Sequence, residues 1–99
     1  MKELNRLPLP PTAIIIPAYN EAQAIGPVIR ELREQCDLPI FVVDDSSTDN
    51  TIDQAIGSGA KVIPLATQLG AWGAMQTGLR FAERLGFEIA ITMDADGQH

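Results

Sequence analysis

The residues best suited to chemistry are two aspartates near the end of the chain, Asp94 and Asp96. They stand two positions apart, so on an extended segment both carboxylates point to one side, about 7 Å apart along the backbone. Mg²⁺ or Mn²⁺ commonly binds through one or two such carboxylates together with substrate phosphates. A cation held there would stabilise negative charge on a departing diphosphate. The pair therefore predicts a divalent-metal site that meets a phosphorylated ligand.

Four short apolar runs, rich in branched residues, predict the strands that position these aspartates. Such runs are typical of parallel strands that are buried on both faces. They cover residues 12–16, 39–43, 61–65 and 88–93. The preceding residues 1–11 are rich in proline and predict an extended lead-in to one domain over residues 12–99.

Three helices are predicted between the strands. The first covers about 26–35, with Pro27 in its first turn; the second runs from the capping cluster 47–49 to Gly57 or Gly59; the third covers about 72–85. Helical spacing predicts which side chains face inward on the second and third helices. They are Ile52, Ala55 and Ile56, and then Met75, Leu79 and Ala82.

The resulting order, β-α-β-α-β-α-β, predicts an α/β fold with a Rossmann-like parallel sheet of strand order 3-2-1-4. Helices one and two then cover one face and helix three covers the other. Ligands bind such sheets at the carboxyl edge, where the chain reverses between strands one and four. Three polar loops, 17–21, 44–49 and 94–99, should converge at that edge.

Composition and charge limit the classes of partner. The chain has 99 residues, of which 45% are hydrophobic and 20% charged, as in an ordinary globular domain. Its net charge of -6 argues against nucleic acid as a partner, because that contact needs a basic surface. Cys36 is the sole cysteine and no long apolar stretch is present, so a cytoplasmic location is expected.

Four motifs in order resemble family 2 glycosyltransferases of the GT-A fold, in particular dolichyl-phosphate mannose synthase-like enzymes. They are residues 14–21, 42–51, 68–78 and 93–99. The resemblance implies transfer of a sugar from a UDP- or GDP-sugar to an acceptor, such as a polyprenyl phosphate or a glycan, with Mg²⁺ or Mn²⁺ as cofactor. It also implies that the full-length enzyme acts at the cytosolic face of a membrane.

The resemblance carries roles to individual residues. It implies that Pro17, Tyr19 and Glu21 border the nucleotide, that Asp45 reads the base, and that Val43 lines the same pocket. These roles are chemically reasonable, because a carboxylate can accept the imide N–H of uracil or guanine and an aromatic ring can cover a base.

The resemblance also assigns the metal site and the missing parts of the enzyme. Asp94 and Asp96 would meet the diphosphate through the cation, with Gln98 as a further metal ligand. Many relatives differ at Gln68 and Trp72, so the contacts of that loop do not carry over. The acceptor pocket and the catalytic base are expected beyond residue 99, so the chain alone should bind weakly and catalyse nothing detectable. Self-association is expected separately, because helix three alone covers one sheet face and the outer edge of strand four has no partner.

Several of these residues also fit structural roles. Tyr19 could lie at the edge of the core, and Asn20 and Glu21 could cap a helix. Asp44, Asp45 and Asp49 could form a solvated turn, in which we assign Asp49 to capping. Trp72 and Met75 are assigned to packing, and His99 is either a ligand or a frayed terminus. Gly70, Gly73 and Gly78 could equally bind phosphate or allow close helix packing.

Three other functions fit parts of the pattern. A Mg²⁺-binding receiver-like signalling domain also places acidic residues at a sheet edge, but its acidic pair follows the first strand. A glycoside hydrolase uses two carboxylates separated by about 5 to 9.5 Å, which Asp94 and Asp96 could satisfy. The third is a non-catalytic module, either one that binds nucleotides or an interaction fragment. Metal-dependent binding of UDP or GDP would count against the interaction fragment.

Overall fold

The structure, a computed structural model, describes residues 10–96 and alternates strands with helices along the chain. The strands are β1 (Thr12–Ala18), β2 (Ile40–Asp44), β3 (Lys61–Pro64) and β4 (Ile89–Thr92). The helices are α1 (Ala22–Gln35), α2 (Thr51–Gly57) and α3 (Gly70–Arg84). The order agrees with the predicted β-α-β-α-β-α-β arrangement.

The strands form one parallel sheet of order β3-β2-β1-β4, as predicted. In the register of the central pair, Ile14 lies opposite Ile40 and Ile16 opposite Val42. The chain reverses its direction across the sheet between β1 and β4, so the carboxyl ends of these strands form the switch point at which α/β sheets bind ligands.

Each face of the sheet carries its own apolar cluster. Ile14, Ile16 and Val42 pack with Ile25 and Ile29 of α1 on the face that α1 and α2 cover. The other face is covered by α3, as predicted, and its cluster includes Ala13, Ile15, Phe41, Val43, Ala74 and Ala82. Alternation of side chains along β1 and β2 thus supplies both clusters from consecutive residues.

Helix α1 begins four residues earlier than predicted. It starts at Ala22 rather than Gly26, which makes Pro27 its sixth residue instead of a first-turn residue. The buried side chains begin only at Ile25, so the apolar pattern that predicted the helix misses its first turn. Pro27 has no N–H to donate to the carbonyl of Gln23, but the helix continues through it because Ile25, Val28 and Ile29 anchor its inner face.

The inner face of α2 also differs from the prediction. Ala55 is fully buried as expected, whereas Ile56 is 57% exposed and Ile52 is half-buried. Thr51, at the first position of the helix, is fully buried instead. A polar residue thus occupies an inward position, where it makes hydrogen bonds to a neighbouring loop.

Helix α3 approaches the sheet most closely through its small residues, and its Phe81 ring also makes an edge contact with Phe41 of β2, with ring centroids 5.8 Å apart. Ala74, Gly78 and Ala82 are buried, while Leu79 of the predicted stripe is 37% exposed. A Cβ added at Gly78 would lie 2.5 Å from Cγ2 of Ile15, which shows how closely the helix approaches β1. Gly78 therefore serves packing, one of the two roles left open for the glycines.

Candidate functional site

A cleft of about 200 Å³ lies at the switch point between β1 and β4. It is open to solvent and smaller than the pockets that enclose whole ligands. The residues that line it are Pro17, Ala18, Tyr19, Glu21, Asp45, Ala71, Asp94, Ala95 and Asp96. Six of the seven predicted nucleotide-binding residues are thus brought together, although their roles toward a nucleotide stay a prediction.

The first side of the cleft is the turn between β1 and α1. Tyr19 follows the strand and is 41% exposed, so its ring is accessible from the cleft and is not a core residue. Asn20 has a φ of 51°, a left-handed conformation that asparagine adopts more readily than most residues. Glu21 then occupies the cap position of α1 without a side-chain capping bond. The turn at Asn20 allows both of its neighbours to line the cleft.

Asp45 joins the end of β2 to the start of α3. Its carboxylate accepts hydrogen bonds from the backbone N–H groups of Leu69, at 2.7 Å, and Gly70, at 2.9 Å. Its own N–H donates to the carbonyl of Ala18 at 2.8 Å, and the residue is 3% exposed. A carboxylate offers about four acceptor sites, so these two bonds leave capacity for a ligand N–H. They also place Ala71 at the cleft, a position that the sequence pattern did not predict.

Asp44 and Val43 have structural roles outside the cleft. The Asp44 carboxylate is 1% exposed and accepts the N–H and the hydroxyl of Ser47, at 3.0 and 2.7 Å, so Asp44 itself is buried, whereas Thr48 and Asp49 of the same turn are exposed. Val43 is fully buried, and its side chain contacts the position of Gly78 in α3. Val43 is not among the residues that line the cleft, because this strand position faces the helix, and its place beside a nucleotide stays a prediction.

Asp94 and Asp96 form the other side of the cleft. Both are exposed, whereas Ala95 between them is 6% exposed and packs into the core. The sequence predicts an extended segment through these two aspartates, and this prediction is wrong. β4 ends at Thr92, and Ala95 and Asp96 lie in a turn. Both carboxylates nevertheless border the same cleft.

The donor set fits a cation that a ligand helps to hold. Within residues 10–96 no group of three or more His, Cys, Asp or Glu side chains is placed to bind a metal ion. Two carboxylates remain, which is the number that Mg²⁺ often takes from a protein when phosphates and water complete its shell. Gln98 and His99 lie outside the described residues.

The sequence assigns structural roles to Trp72 and Asp49, neither of which lines the cleft. Trp72 is 71% exposed, so its assignment to packing is wrong.

The capping role of Asp49 is confirmed, since its carboxylate accepts the N–H of Thr51 at 3.0 Å. Asp49 also accepts the N–H of Ala22, at 3.3 Å, in the other helix. The Thr51 hydroxyl, above all, lowers the pKa of Asp49 below its ordinary value, with backbone N–H groups adding to this and burial opposing it.

A family comparison decides between the functional classes. The model of glycosyl transferase family 2 matches residues 13–99. This chain belongs to glycosyltransferase family 2. The receiver-like alternative is wrong, and the strand order agrees, because receiver sheets place strand three beside strand one whereas β1 here lies between β2 and β4.

Two relatives of this family 2 chain have names that include a lipid phosphate. It is 38% identical over 103 residues to UDP-N-acetylglucosamine–dolichyl-phosphate N-acetylglucosaminyltransferase of Methanococcus voltae, which covers 87% of this chain and 41% of that protein. It is 35% identical over 91 residues to undecaprenyl-phosphate mannosyltransferase of Micrococcus luteus, covering 86% of this chain and 37% of the relative. The chain thus spans less than half the length of either relative.

Solved structures agree with the fold. The glucosyl-3-phosphoglycerate synthase of M. tuberculosis superposes with a TM-score of 0.72 and 27% identity, covering 88% of this chain and 34% of the synthase. Similar structures include that synthase with Mg²⁺ and UDP, and with Mn²⁺, UDP and glucosyl-3-phosphoglycerate. The sheet of this chain is therefore part of the GT-A architecture.

Proposed function

We propose that the chain forms the donor-binding part of a glycosyltransferase that transfers a sugar from a UDP- or GDP-sugar to an acceptor. The observation that carries this proposal is the cleft at the switch point, which combines an accessible tyrosine ring with four carboxylates. Family membership and the relatives' donors support it.

The nucleoside is assigned to the side of the cleft formed by β1 and β2. The exposed ring of Tyr19 can cover the base, and Pro17 adds apolar surface beside it. The Asp45 carboxylate accepts two backbone N–H groups and has remaining capacity for the imide N–H of uracil or guanine. Glu21 borders the nucleotide from the turn before α1.

The diphosphate is assigned to the side formed by Asp94 and Asp96. The described residues that line the cleft include four carboxylates and no Lys, Arg or His, so a diphosphate would be repelled unless a cation came with it. Asp94 and Asp96 would hold Mg²⁺ or Mn²⁺, with Gln98 as a further ligand. The bound cation would supply neutralisation of the charge on the departing diphosphate.

The acceptor side is proposed from the relatives alone. Both named relatives take a lipid phosphate, which favours a polyprenyl phosphate over a glycan as the acceptor of the whole enzyme. Because the chain spans less than half of either relative, we propose that these 99 residues by themselves bind donor nucleotide weakly and do not catalyse transfer. None of the helices within residues 10–96 is long and apolar enough to span a membrane. From the lipid-phosphate acceptors of these relatives, we propose that the whole enzyme acts in the cytoplasm, at the cytosolic face of a membrane.

Titration of the 99-residue chain with UDP, GDP and ADP tests the proposal. Calorimetry in Mn²⁺ and in EDTA should show binding of UDP or GDP in Mn²⁺ and at least tenfold weaker binding in EDTA, with ADP weaker than the preferred ligand in both. Equal affinities in the two buffers would remove the cation from the proposal. Absence of binding by all three nucleotides at millimolar concentration would contradict the donor-binding assignment itself.

A further inference from the structure

The loops that precede α1 and α2 exchange hydrogen bonds with one another. The N–H of Asn20 donates to the Ser47 hydroxyl at 2.9 Å, and the Asn20 side-chain oxygen accepts the N–H of Thr48 at 2.8 Å. The N–H of Glu21, like that of Asn20, donates toward the second segment, to the Thr51 hydroxyl at 2.9 Å. Each loop therefore supplies acceptors for the other.

These bonds replace ordinary helix capping. The first N–H groups of a helix have no partner within it and are usually capped by a side chain at the cap position. The cap residues here, Glu21 of α1 and Asn50 of α2, make no such side-chain bond. Asp49 accepts N–H groups at the starts of both helices. The Thr51 hydroxyl accepts the N–H of Glu21 and itself donates to the Asp49 carboxylate.

The shared capping fixes the turn that lines the cleft. Tyr19 and Glu21 flank Asn20, whose left-handed φ is held by bonds at both its N–H and its side chain. Thr51 is fully buried beneath this turn, so solvent cannot easily replace its hydroxyl as the acceptor. A loss of the hydroxyl would leave the Glu21 N–H with no acceptor in this arrangement.

We propose that Asn20, Asp49 and Thr51 are positioning residues for the nucleotide. They do not line the cleft at Asp45, but they hold Tyr19 and Glu21 against it by capping two helices reciprocally. The inference rests on the proposed function, because the contacts of Tyr19 and Glu21 with a nucleotide are part of that proposal.

The matched pair Thr51→Val and Thr51→Ser tests the role of the hydroxyl. Valine keeps the shape of threonine and removes the bond, whereas serine keeps the bond. In the 99-residue chain with Mg²⁺, we expect Thr51→Val to weaken UDP roughly two- to tenfold, the range of one ordinary hydrogen bond, and Thr51→Ser to restore it. Inorganic diphosphate should bind both variants as it binds the wild type, because it does not reach the turn.

A second pair separates positioning from simple loss of stability. Asn20→Gly tolerates the positive φ but removes the side-chain acceptor, so it should also weaken UDP selectively. Ile29→Val, on the buried face of α1, should lower stability without changing the ratio of UDP to diphosphate affinity. In a chain that also carries Tyr19→Ala and Glu21→Ala, Thr51→Val should have little further effect, because residues that act through one another are not additive.

Nuclear magnetic resonance of the ligand-free chain gives an independent readout. Amide exchange at Glu21 and Ala22 should be slow in the wild type and in Thr51→Ser, and faster in Thr51→Val. The Tyr19 resonances of Thr51→Val should also shift relative to those of the wild type. An unchanged turn in Thr51→Val would overturn the positioning role, whatever the wild type binds. A disturbed turn with an unchanged ratio of UDP to diphosphate affinity would overturn it as well, while a wild type that binds no nucleotide would instead overturn the proposed function.

Discussion

The Asp45 carboxylate accepts the backbone N–H of Leu69 at 2.7 Å, across 24 positions of the chain. With the bond to Gly70, this contact gives α3 the acceptor that its cap residue does not provide. One side chain thus forms part of the cleft wall and fixes the start of the helix that brings Ala71 to it.

Replacement of Asp45 should therefore affect both stability and nucleotide binding. We expect Asp45→Ala to lower the free energy of unfolding by about 1–3 kcal/mol, because two part-buried N–H groups at the start of α3 lose their acceptor. Asp45→Asn keeps one acceptor oxygen and should lower it less. Urea denaturation of both variants measures this, and an unchanged midpoint for Asp45→Ala would mean that the capping contacts contribute nothing.

Nucleotide binding by Asp45→Ala gives a separate prediction. UDP or GDP should lose affinity in Mg²⁺, whereas inorganic diphosphate should bind nearly as before, since the carboxylate is assigned to the base. The comparison is made below the unfolding transition, so that the fraction of folded chain is equal. Equal losses for both ligands would contradict the assignment to the base.

The metal role predicts a different selectivity for Asp94 and Asp96. Asn at either position keeps the size of the side chain but removes a negative oxygen ligand, so UDP and inorganic diphosphate should both weaken, in Mn²⁺ and not in EDTA. Asp37→Asn, an exposed aspartate in the turn after α1, serves as the matched control for the change in charge. If Asp96→Asn bound both ligands like the wild type in Mn²⁺, that residue would not be a metal ligand.

Gly78 and Gly57 give a matched test of packing. Alanine at Gly78 would bring a Cβ within 2.5 Å of Ile15 and 2.8 Å of Val43, so we expect a loss of about 1–3 kcal/mol of stability from overpacking. Alanine at Gly57, the last residue of α2, meets nothing within 4 Å and should leave stability unchanged or raise it by up to about 1 kcal/mol. Thermal unfolding of both variants checks this, and a neutral Gly78→Ala would contradict the close approach of α3.

Asp49 should contribute to the pH dependence of stability. Its pKa is lowered in the folded chain, chiefly by the Thr51 hydroxyl, so the unfolded chain binds a proton more readily. The stabilisation is present above the ordinary pKa of about 3.9 and is lost as the pH falls through the lowered pKa. Asp49→Asn should therefore flatten the acid side of the stability profile. Identical slopes for the wild type and Asp49→Asn below pH 5 would contradict this.

The sequence predicts the sheet better than it predicts the contacts between elements. Apolar runs such as 12–16 determine the strands and their order, because a strand buried on both faces leaves a continuous pattern. The helical pattern cannot show that Gly78, rather than Leu79, faces the sheet, since hydrophobicity favours the larger residue while close packing requires the smaller. Val43 shows a similar limit: its motif suggests a pocket, but alternation along β2 directs its side chain to α3.

The cleft shows the same division. The three loops follow strand ends and were expected to meet there, which placed Tyr19 and Asp94 correctly at one edge. The second role of Asp45 could not be found, because its partners Leu69 and Gly70 are distant in sequence and offer only backbone N–H groups. A threonine at the start of α2 suggests a capping role there. The sequence cannot show that its hydroxyl accepts the N–H of Glu21, at the start of α1.

The last prediction is that the 99-residue chain self-associates through β4. This strand is at an edge of the described sheet, and its four residues are exposed. In the register with β1, Ile89 and Ile91 lie on the face that α1 covers, yet they remain 44% and 43% exposed, so that helix does not reach them. An open edge beside exposed apolar side chains favours pairing with a second copy, which would supply hydrogen bonds to the strand and cover its apolar side chains.

Light scattering over a dilution series should show a dimer at high concentration that dissociates on dilution. Ile89→Lys together with Ile91→Lys should shift the equilibrium to monomer, whereas Ile56→Lys, which changes an exposed isoleucine on α2, should not. A compact monomer at every concentration, without binding of a dye that reports exposed apolar surface, would show that β4 needs no partner.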